Sequence, residues 1–385
     1  LSDEKTENGK TEGEIKVNFT CDRTLLLDAF MTASRSIPQK TSVPVLSCFL
    51  IEASMNGEIV ITGFDLDLGI TTKVEGDVKM HGKIAIDAKI VLEILRSMDM
   101  GNVSFITCEN NTVNVSCGSS EFTINYVDGS TYPERPLIEG FEYITMDQRV
   151  LHSIIRQTVF AVSANDMKGI YTGANFKFSN GILEVVATDT YRFAMRREKF
   201  DTENEFSIII QGRVLSELIK IMKNEEGPVR IGYNKKQVLF EFENTKVVSR
   251  LVEGEYMDYG KIMPKSFKYQ ITVGVKDFKR IIEKASVLIN DKQKAPIRLS
   301  LEKERIYITC HTTDGHSFED EISAEIGGEF MEIGLNNRNL LDILTAVECD
   351  NIKMCLNSSL SSVSFVPENG DGFLYLVAPM RLGKS

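Results

Sequence analysis

Apolar residues recur along this chain at two alternating periods, and the alternation returns three times. The segments FTCDRTLLLDAFM from Phe19, ITMDQRVLHSIIR from Ile144 and ITVGVKDFKRIIE from Ile271 begin 125 and 127 residues apart. In that register Leu26, Leu151 and Phe278 coincide, as do Ala29, Ile154 and Ile281, then Phe30, Ile155 and Ile282. Steps of three and four between apolar positions predict one buried face of an amphipathic helix. A short β-like run precedes each helix, at 17–20, 143–145 and 269–273.

A second triplet follows at the same spacing: IDAKIVLEIL from Ile86, IQGRVLSELI from Ile210 and LNNRNLLDIL from Leu335. Each reads as a strand entering a helix of about three turns, closed by a turn near 100, 227 and 349. Between and after the helices, residues alternate apolar and polar and are bounded by Gly, Asn and Asp, as antiparallel strands joined by tight turns. The chain therefore reads as α+β: three tandem modules, each of two helices packed on roughly eight antiparallel strands. Proline-bearing connections at 133–140 and 263–266 set the expected boundaries: modules at 16–139, 140–265 and 266–385 after a polar, disordered leader at 1–15.

Composition changes the picture little. Seven cysteines make an odd number with no CxxC pair, which suits small buried thiols in a reducing cytoplasm better than a disulfide framework. No apolar run approaches the ~20 residues of a membrane-spanning helix, and no basic-then-apolar leader opens the sequence, so no membrane partner is expected.

Charge changes it more. A net charge of −11 argues against a nucleic-acid partner only if the charge is evenly spread. The six helical segments together carry +5, which leaves −16 on the strands and loops. Lys89, Arg213 and Arg338 align in the first turn of the second helix of each copy, where the helix macrodipole disfavours a cation. Two readings stand side by side: their stems cover apolar surface and pair with Glu93, Glu217 and Asp342 four residues on, or their charges face phosphate. Arg149, Arg156 and Lys220 add further positive charge, and short helices with scattered cations suit sequence-independent phosphate contact.

Catalytic patterns are missing. The sequence has no GxGxxG, GxSxG or HExxH, and its Gly383-Lys384-Ser385 ending has neither the earlier glycine nor the following helix of a phosphate loop. His311, Asp314 and His316 form the closest approach to a metal-ligand group, but a continuous strand would put His311 on the opposite face from the other two. No cofactor, metal or catalytic residue is expected. Two other classes remain open: a scaffold of repeated units that never meets DNA, and a nucleic-acid-processing enzyme acting through Asp189 or Asp314.

The ending YLVAPMRL from Tyr375, the stretch ATDTYRFA from Ala187 and SRLVEGEYMDYGKIMP from Ser249 resemble the bacterial sliding-clamp family, the beta subunits of DNA polymerase III, as does YPERP after the first copy. The resemblance spans 16–382. It implies a ring-forming head-to-tail homodimer with twelve helices around a bore of about 28 Å, wide enough for a hydrated duplex. It implies DNA replication as the process and a non-catalytic processivity role, with double-stranded DNA, the polymerase catalytic subunit, a clamp loader, and other replication and repair proteins as partners. Lys40, Asn165 and Arg213 match DNA-approaching positions, and Phe122 and Ile124 with Val287 and Leu288 match the edges that close the ring. A groove for short Gln-Leu-x-Leu-Phe-like peptides would use Ile170, Tyr171, Thr188, Thr190, Phe193, Met257, Ile262, Leu360, Ser362, Pro379, Met380 and Arg381. This sequence departs from the family at Thr190, often Gly, at Tyr191, often His, and at Ala378, usually a larger apolar residue.

Overall fold

Strands run directly into helices in this protein, and a polar side chain marks most of the joins. In the computed structural model the Asp22, Asp87, Asp147 and Asn336 side chains accept backbone N–H groups at the first turns of four helices, satisfying donors that have no intrahelical partner. The other two helices follow Gln211 and Gly274 without a side-chain cap. Residues 17–134, 139–200, 205–289, 295–324, 326, 329–370 and 372–382 are described. The expected leader, the middle of the first connection and the last three residues lie outside them.

The first copy runs β1 (Asn18–Asp22), α1 (Arg23–Ala33), β2 (Cys48–Ala53), β3 (Glu58–Phe64), β4 (Leu68–Glu75), β5 (Asp77–Met80), β6 (Gly82–Asp87), α2 (Ala88–Ser97), β7 (Asn102–Cys108), β8 (Thr112–Cys117), β9 (Ser120–Asn125) and β10 (Val127–Asp128). The second runs β11 (Glu142–Asp147), α3 (Gln148–Arg156), β12 (Gly173–Ser179), β13 (Ile182–Thr188), β14 (Arg192–Lys199), β15 (Phe206–Gln211), α4 (Gly212–Ile221), β16 (Pro228–Tyr233), β17 (Gln237–Phe242) and β18 (Thr245–Arg250). The third runs β19 (Tyr269–Gly274), α5 (Val275–Ser286), β20 (Ile297–Leu301), β21 (Arg305–His311), β22 (Ser317–Ser323), β23 (Met331–Leu335), α6 (Asn337–Ala346), β24 (Asn351–Leu356), β25 (Val363–Pro367) and β26 (Phe373–Val377). The strand-then-helix order expected of each copy is present in all three.

Compactness divides the chain differently from the repeat. One unit takes the described residues up to Met146 together with Gly227–Arg250; the other takes Asp147–Glu226 and the described residues from Leu251 onward. The reason lies in the sheets. In the first unit a five-stranded sheet has the order β5-β1-β7-β8-β9, and a nine-stranded sheet, β10-β6-β2-β3-β4-β18-β17-β16-β11, joins strands of the first two copies. In the second unit an eight-stranded sheet, β15-β12-β13-β14-β26-β25-β24-β19, joins the second and third copies beside a four-stranded one, β22-β21-β20-β23. The pairs β1–β5, β1–β7, β12–β13, β4–β18, β19–β24 and β21–β22 are all antiparallel.

Helices pack on these sheets within each unit. In the first unit Leu26, Ala29 and Phe30 of α1 and Val91 and Leu95 of α2 are buried against Phe19, Phe49, Ile61 and Phe105. Phe19 stacks on Phe105 at 5.0 Å, and Phe30 meets Phe49 edge-on at 4.9 Å. Gly63 is required here, because a Cβ on it would stand 2.3 Å from the Ala33 carbonyl oxygen of α1. The aligned apolar triplets of the sequence are core: Leu26, Leu151 and Phe278 are all fully buried.

The histidine segment is a surface turn between two strands. His311 ends β21, and the chain then turns, with the Thr312 N–H donating to the His316 carbonyl at 2.9 Å before β22 begins. The chain does not continue as one strand from His311 to His316: Gly315, at φ +84°, closes a hairpin.

Candidate nucleic-acid and peptide interfaces

Lys89, Arg213 and Arg338 each occupy the second residue of their helices, α2, α4 and α6, and each is exposed. Two of the acids four residues on pair with other cations: Glu217 with Lys220 at 2.7 Å, and Asp342 with Arg192 of β14. The other expected DNA-facing residues differ in how far they are engaged. Arg149 holds Glu226 at 2.8 Å, and Arg156 holds Glu348 just after α6. Asn165 is exposed, but its side-chain oxygen caps the Met167 N–H at 3.0 Å. Lys40 is exposed in the loop after α1.

The residues expected to line a peptide groove all belong to the second unit. At its centre Phe193 is buried in a cluster with Val186, Met195 and Leu376, flanked by half-buried Tyr256, Tyr259, Met263 and Leu374. Tyr171 meets Tyr256 edge-on at 5.7 Å, and Phe193 lies 5.9 Å from Tyr259. Thr188 is buried, and its hydroxyl donates to the Arg192 carbonyl at 2.6 Å across the β13–β14 turn. Within that turn Thr190 adopts φ +79°, a left-handed conformation that a β-branched residue rarely takes. The preference for Gly at this family position follows directly.

The chain's last described residues are tied to the same region. The Ala378 N–H donates to the Tyr191 carbonyl at 2.8 Å, and the Met380 N–H donates to the Gly334 carbonyl at 2.8 Å. Gly334 admits this close approach, since a Cβ there would stand 2.7 Å from the Met380 oxygen. Pro379 and Met380 are half-buried, Arg381 is exposed, and Ile170 packs on Gly254. Met257 is half-buried, Ile262 is exposed, and Leu360 and Ser362 stand in the exposed β24–β25 loop, with Leu360 83% exposed.

Sequence reasoning missed four residues of this region. Lys168 donates to the Asp189 carbonyl and to the Thr190 hydroxyl at 3.0 Å, and lies over the Tyr191 ring at 5.1 Å. Tyr256, Tyr259 and Met263 form a wall, although they sit inside the quoted stretch from Ser249. Burial raises the Tyr256 hydroxyl's pKa well above the usual tyrosine value, so it stays protonated. The Tyr259 hydroxyl is raised by burial and by its bond to Glu184. Isolated cations and aromatics carry no periodicity; the family stretch from Ser249 signalled Tyr256, Tyr259 and Met263, and nothing in the sequence signalled Lys168.

Of the residues expected at ring-closing edges, Phe122 and Ile124 lie on β9, the end strand of the five-stranded sheet. Val287 stands at the end of α5, 83% exposed, with Leu288 half-buried beside it. Among the described residues no group of three or more His, Cys, Asp or Glu is placed to hold a metal ion, and no helix is long and apolar enough to cross a membrane.

Three family profiles match in succession: the N-terminal domain of the DNA polymerase III beta subunit at 17–136, the central domain at 145–258 and the C-terminal domain at 260–381. The beta sliding clamp of Halalkalibacterium halodurans is 32% identical over 379 residues, 95% of this chain and all of that protein. That of Synechococcus elongatus is 30% identical, with the same coverage of each. Among solved structures, the DNA polymerase sliding clamp of Bacillus subtilis superposes with a TM-score of 0.91 at 28% identity, covering 96% of this chain and all of that one. The three repeated copies are three clamp domains, α+β with antiparallel sheets.

Proposed function

Because this chain belongs to the DNA polymerase III beta subunit family, and so is a non-catalytic DNA sliding clamp of replication, we propose that two copies close head to tail into a ring around duplex DNA. In this reading the modules divide at 139/140 and 265/266, and the cytoplasm is the site of action. A polymerase catalytic subunit, a clamp loader, and further replication and repair proteins dock by short peptides in the groove centred on Phe193.

One observation carries the ring: the chain makes the same strand seam twice and leaves the parts of a third. Strand β4 of the first copy pairs with β18 of the second over five residues, from Leu68↔Ser249 to Thr72↔Thr245. Strand β14 of the second copy pairs with β26 of the third over five residues, from Arg192↔Val377 to Arg196↔Phe373. The positions correspond. Counting across the sheets, Ala85–Leu50–Thr62–Thr71 matches Ile209–Asn175–Val186–Met195 and Gly334–Arg298–Thr309–Glu319. From the other side, Phe19–Phe105–Val115–Phe122 matches Ile271–Met354–Phe365–Tyr375.

The strands that correspond to β4 and β26 but end their own sheets are β22 and β9. In the same register, 316–320 of one chain would face 120–124 of the next, with Phe318 opposite Phe122 of the partner subunit. Phe160 touches Tyr375 at 5.6 Å within the second unit, and the corresponding contact sets Val287 against the partner subunit's Phe122. One unmade seam per chain is satisfied by two chains and a two-fold axis.

Lys40, Lys89, Arg149, Arg156, Asn165, Arg213, Lys220 and Arg338 face the bore in this reading, as weak phosphate contacts that carry no sequence information. After loading, the protein stays on nicked circular DNA and is lost when that DNA is cut to a linear form. Equal retention on both forms would overturn the topological mechanism.

A further inference from the structure

We propose that the seam between chains, unlike the two seams within each chain, carries directly opposed carboxylates, Glu319 and Glu121 of the partner subunit, and that this like-charge pair weakens ring closure at the joint that must open. The inference rests on the ring reading above and adds to it the residue pair that tunes the joint. Its starting point is one corresponding position in all three seams. Within the first unit that position holds Thr71 opposite Lys246, and within the second it holds Met195 opposite Leu374. Neither pair sets like charges against each other. In the third seam the register puts Glu319, partner of Thr309 on β21, opposite Glu121, partner of Ser116 on β8.

Both glutamates are exposed on the free chain. Side chains directly opposite on an antiparallel pair share a face and have Cβ atoms ~5 Å apart, close enough for like charges to repel. The groups beside them offer little compensation. Glu321, next on the same face of β22, already holds Arg305 at 2.8 Å. Glu121 accepts a hydrogen bond from the Asn114 amide, a neutral donor. The remaining neighbours on that face are Ser317, Tyr307, Thr309 and His311 on one chain, and Thr123 and Ser116 on the other. On the opposite face Asp320 is bound to Lys284 of α5 at 3.0 Å, so it adds little net charge to the joint. The apolar face, with Phe318, Phe122 and Val287, holds the joint closed; the acidic face opposes it.

Each ring has two such joints, so neutralising the pair acts twice. The test measures the dimer dissociation constant by sedimentation equilibrium for the full chain and for E319Q, E121Q, the double variant and F122A. Either single Glu→Gln change should tighten the dimer by about 2- to 30-fold at low salt, and the double variant should add little, because one neutral partner already removes the repulsion. Raising the salt should tighten the unmodified dimer and narrow the gap to E319Q. F122A should weaken the dimer and so reports on the seam itself. If F122A weakens it while both Glu→Gln changes leave it unaltered, or act independently, the carboxylate pair is overturned and the seam stands. If F122A has no effect, the seam fails with it.

Discussion

Gly334 shows how much of the proposed groove depends on one missing methyl group. It pairs with Arg298 within the four-stranded sheet and, on its other side, takes the Met380 N–H at 2.8 Å. An added Cβ would meet the Met380 carbonyl oxygen at 2.7 Å and the Leu382 side chain at 2.8 Å, both well inside contact distance, so the terminal segment must move. Gly334→Ala should therefore loosen the Met380 wall and weaken capture of a Gln-Leu-x-Leu-Phe peptide by tenfold or more, on the order of 1.4 kcal/mol. Fluorescence anisotropy with a labelled peptide measures this, and sedimentation of the same variant should show an unaltered dimer. Unchanged peptide affinity would mean that the terminal segment is no part of the groove. Thr190 is the opposite case: a side chain is present where backbone geometry favours none, at φ +79°, and Leu66 repeats that geometry at φ +80° in the first copy. The sequence carried a hint of this only through the family's preference for Gly.

At the scale of elements, the helices were legible and the joins between copies were not. Steps of three and four placed Leu151, Ile154 and Ile155 on the buried face of α3, where they lie. Nothing local could show that Arg156 on the same helix reaches Glu348, 192 residues away, while Ser153 donates to that carboxylate at 2.8 Å. Burial would raise the pKa of Glu348, but its hydrogen bonds to Arg156 and Ser153 outweigh burial and hold it below the ordinary carboxylate range. The sign of the linkage follows. A carboxyl depressed in the folded state contributes stability that is fully present above its unfolded pKa and is lost as pH falls through the lowered value. Arg156→Ala should cost up to about 1 kcal/mol at neutral pH, because the pair is partly exposed. It should also flatten the acid side of the stability profile. Urea unfolding across that pH range tests both, and an identical acid slope in the variant would remove Arg156 as the cause. The proposed groove was only half legible for the same reason: its wall of Tyr256, Tyr259 and Met263 packs on β14 and β26 through tertiary contact, without a periodic pattern of its own.

For the whole molecule, the repeat period fixed the number of clamp domains, but the register of strands between copies needed coordinates. Strand β4 pairs with β3 of its own copy on one side and with β18 of the next on the other, and the second pairing, over some 175 residues, is one that alternation in either strand leaves undetermined. Once two such seams are known, the third can be tested residue by residue. In the proposed register Ser317 lies directly opposite Thr123 of the partner subunit, on the exposed face that also bears Glu319. Cysteines at both places, in a chain where exposed Cys108 is changed to Ser, should oxidise to a dimer held by two symmetric disulfides, since opposed residues on paired strands bring their Cβ atoms within reach of an S–S bond. Moving one cysteine by a single position, to Phe318→Cys with Thr123→Cys, puts the thiols on opposite faces of the sheet and should abolish the crosslink. Non-reducing electrophoresis separates the outcomes. A crosslink from the shifted pair alone would show the joint between chains out of step with the two joints within each chain, and would remove the opposition of Glu319 and Glu121 along with it.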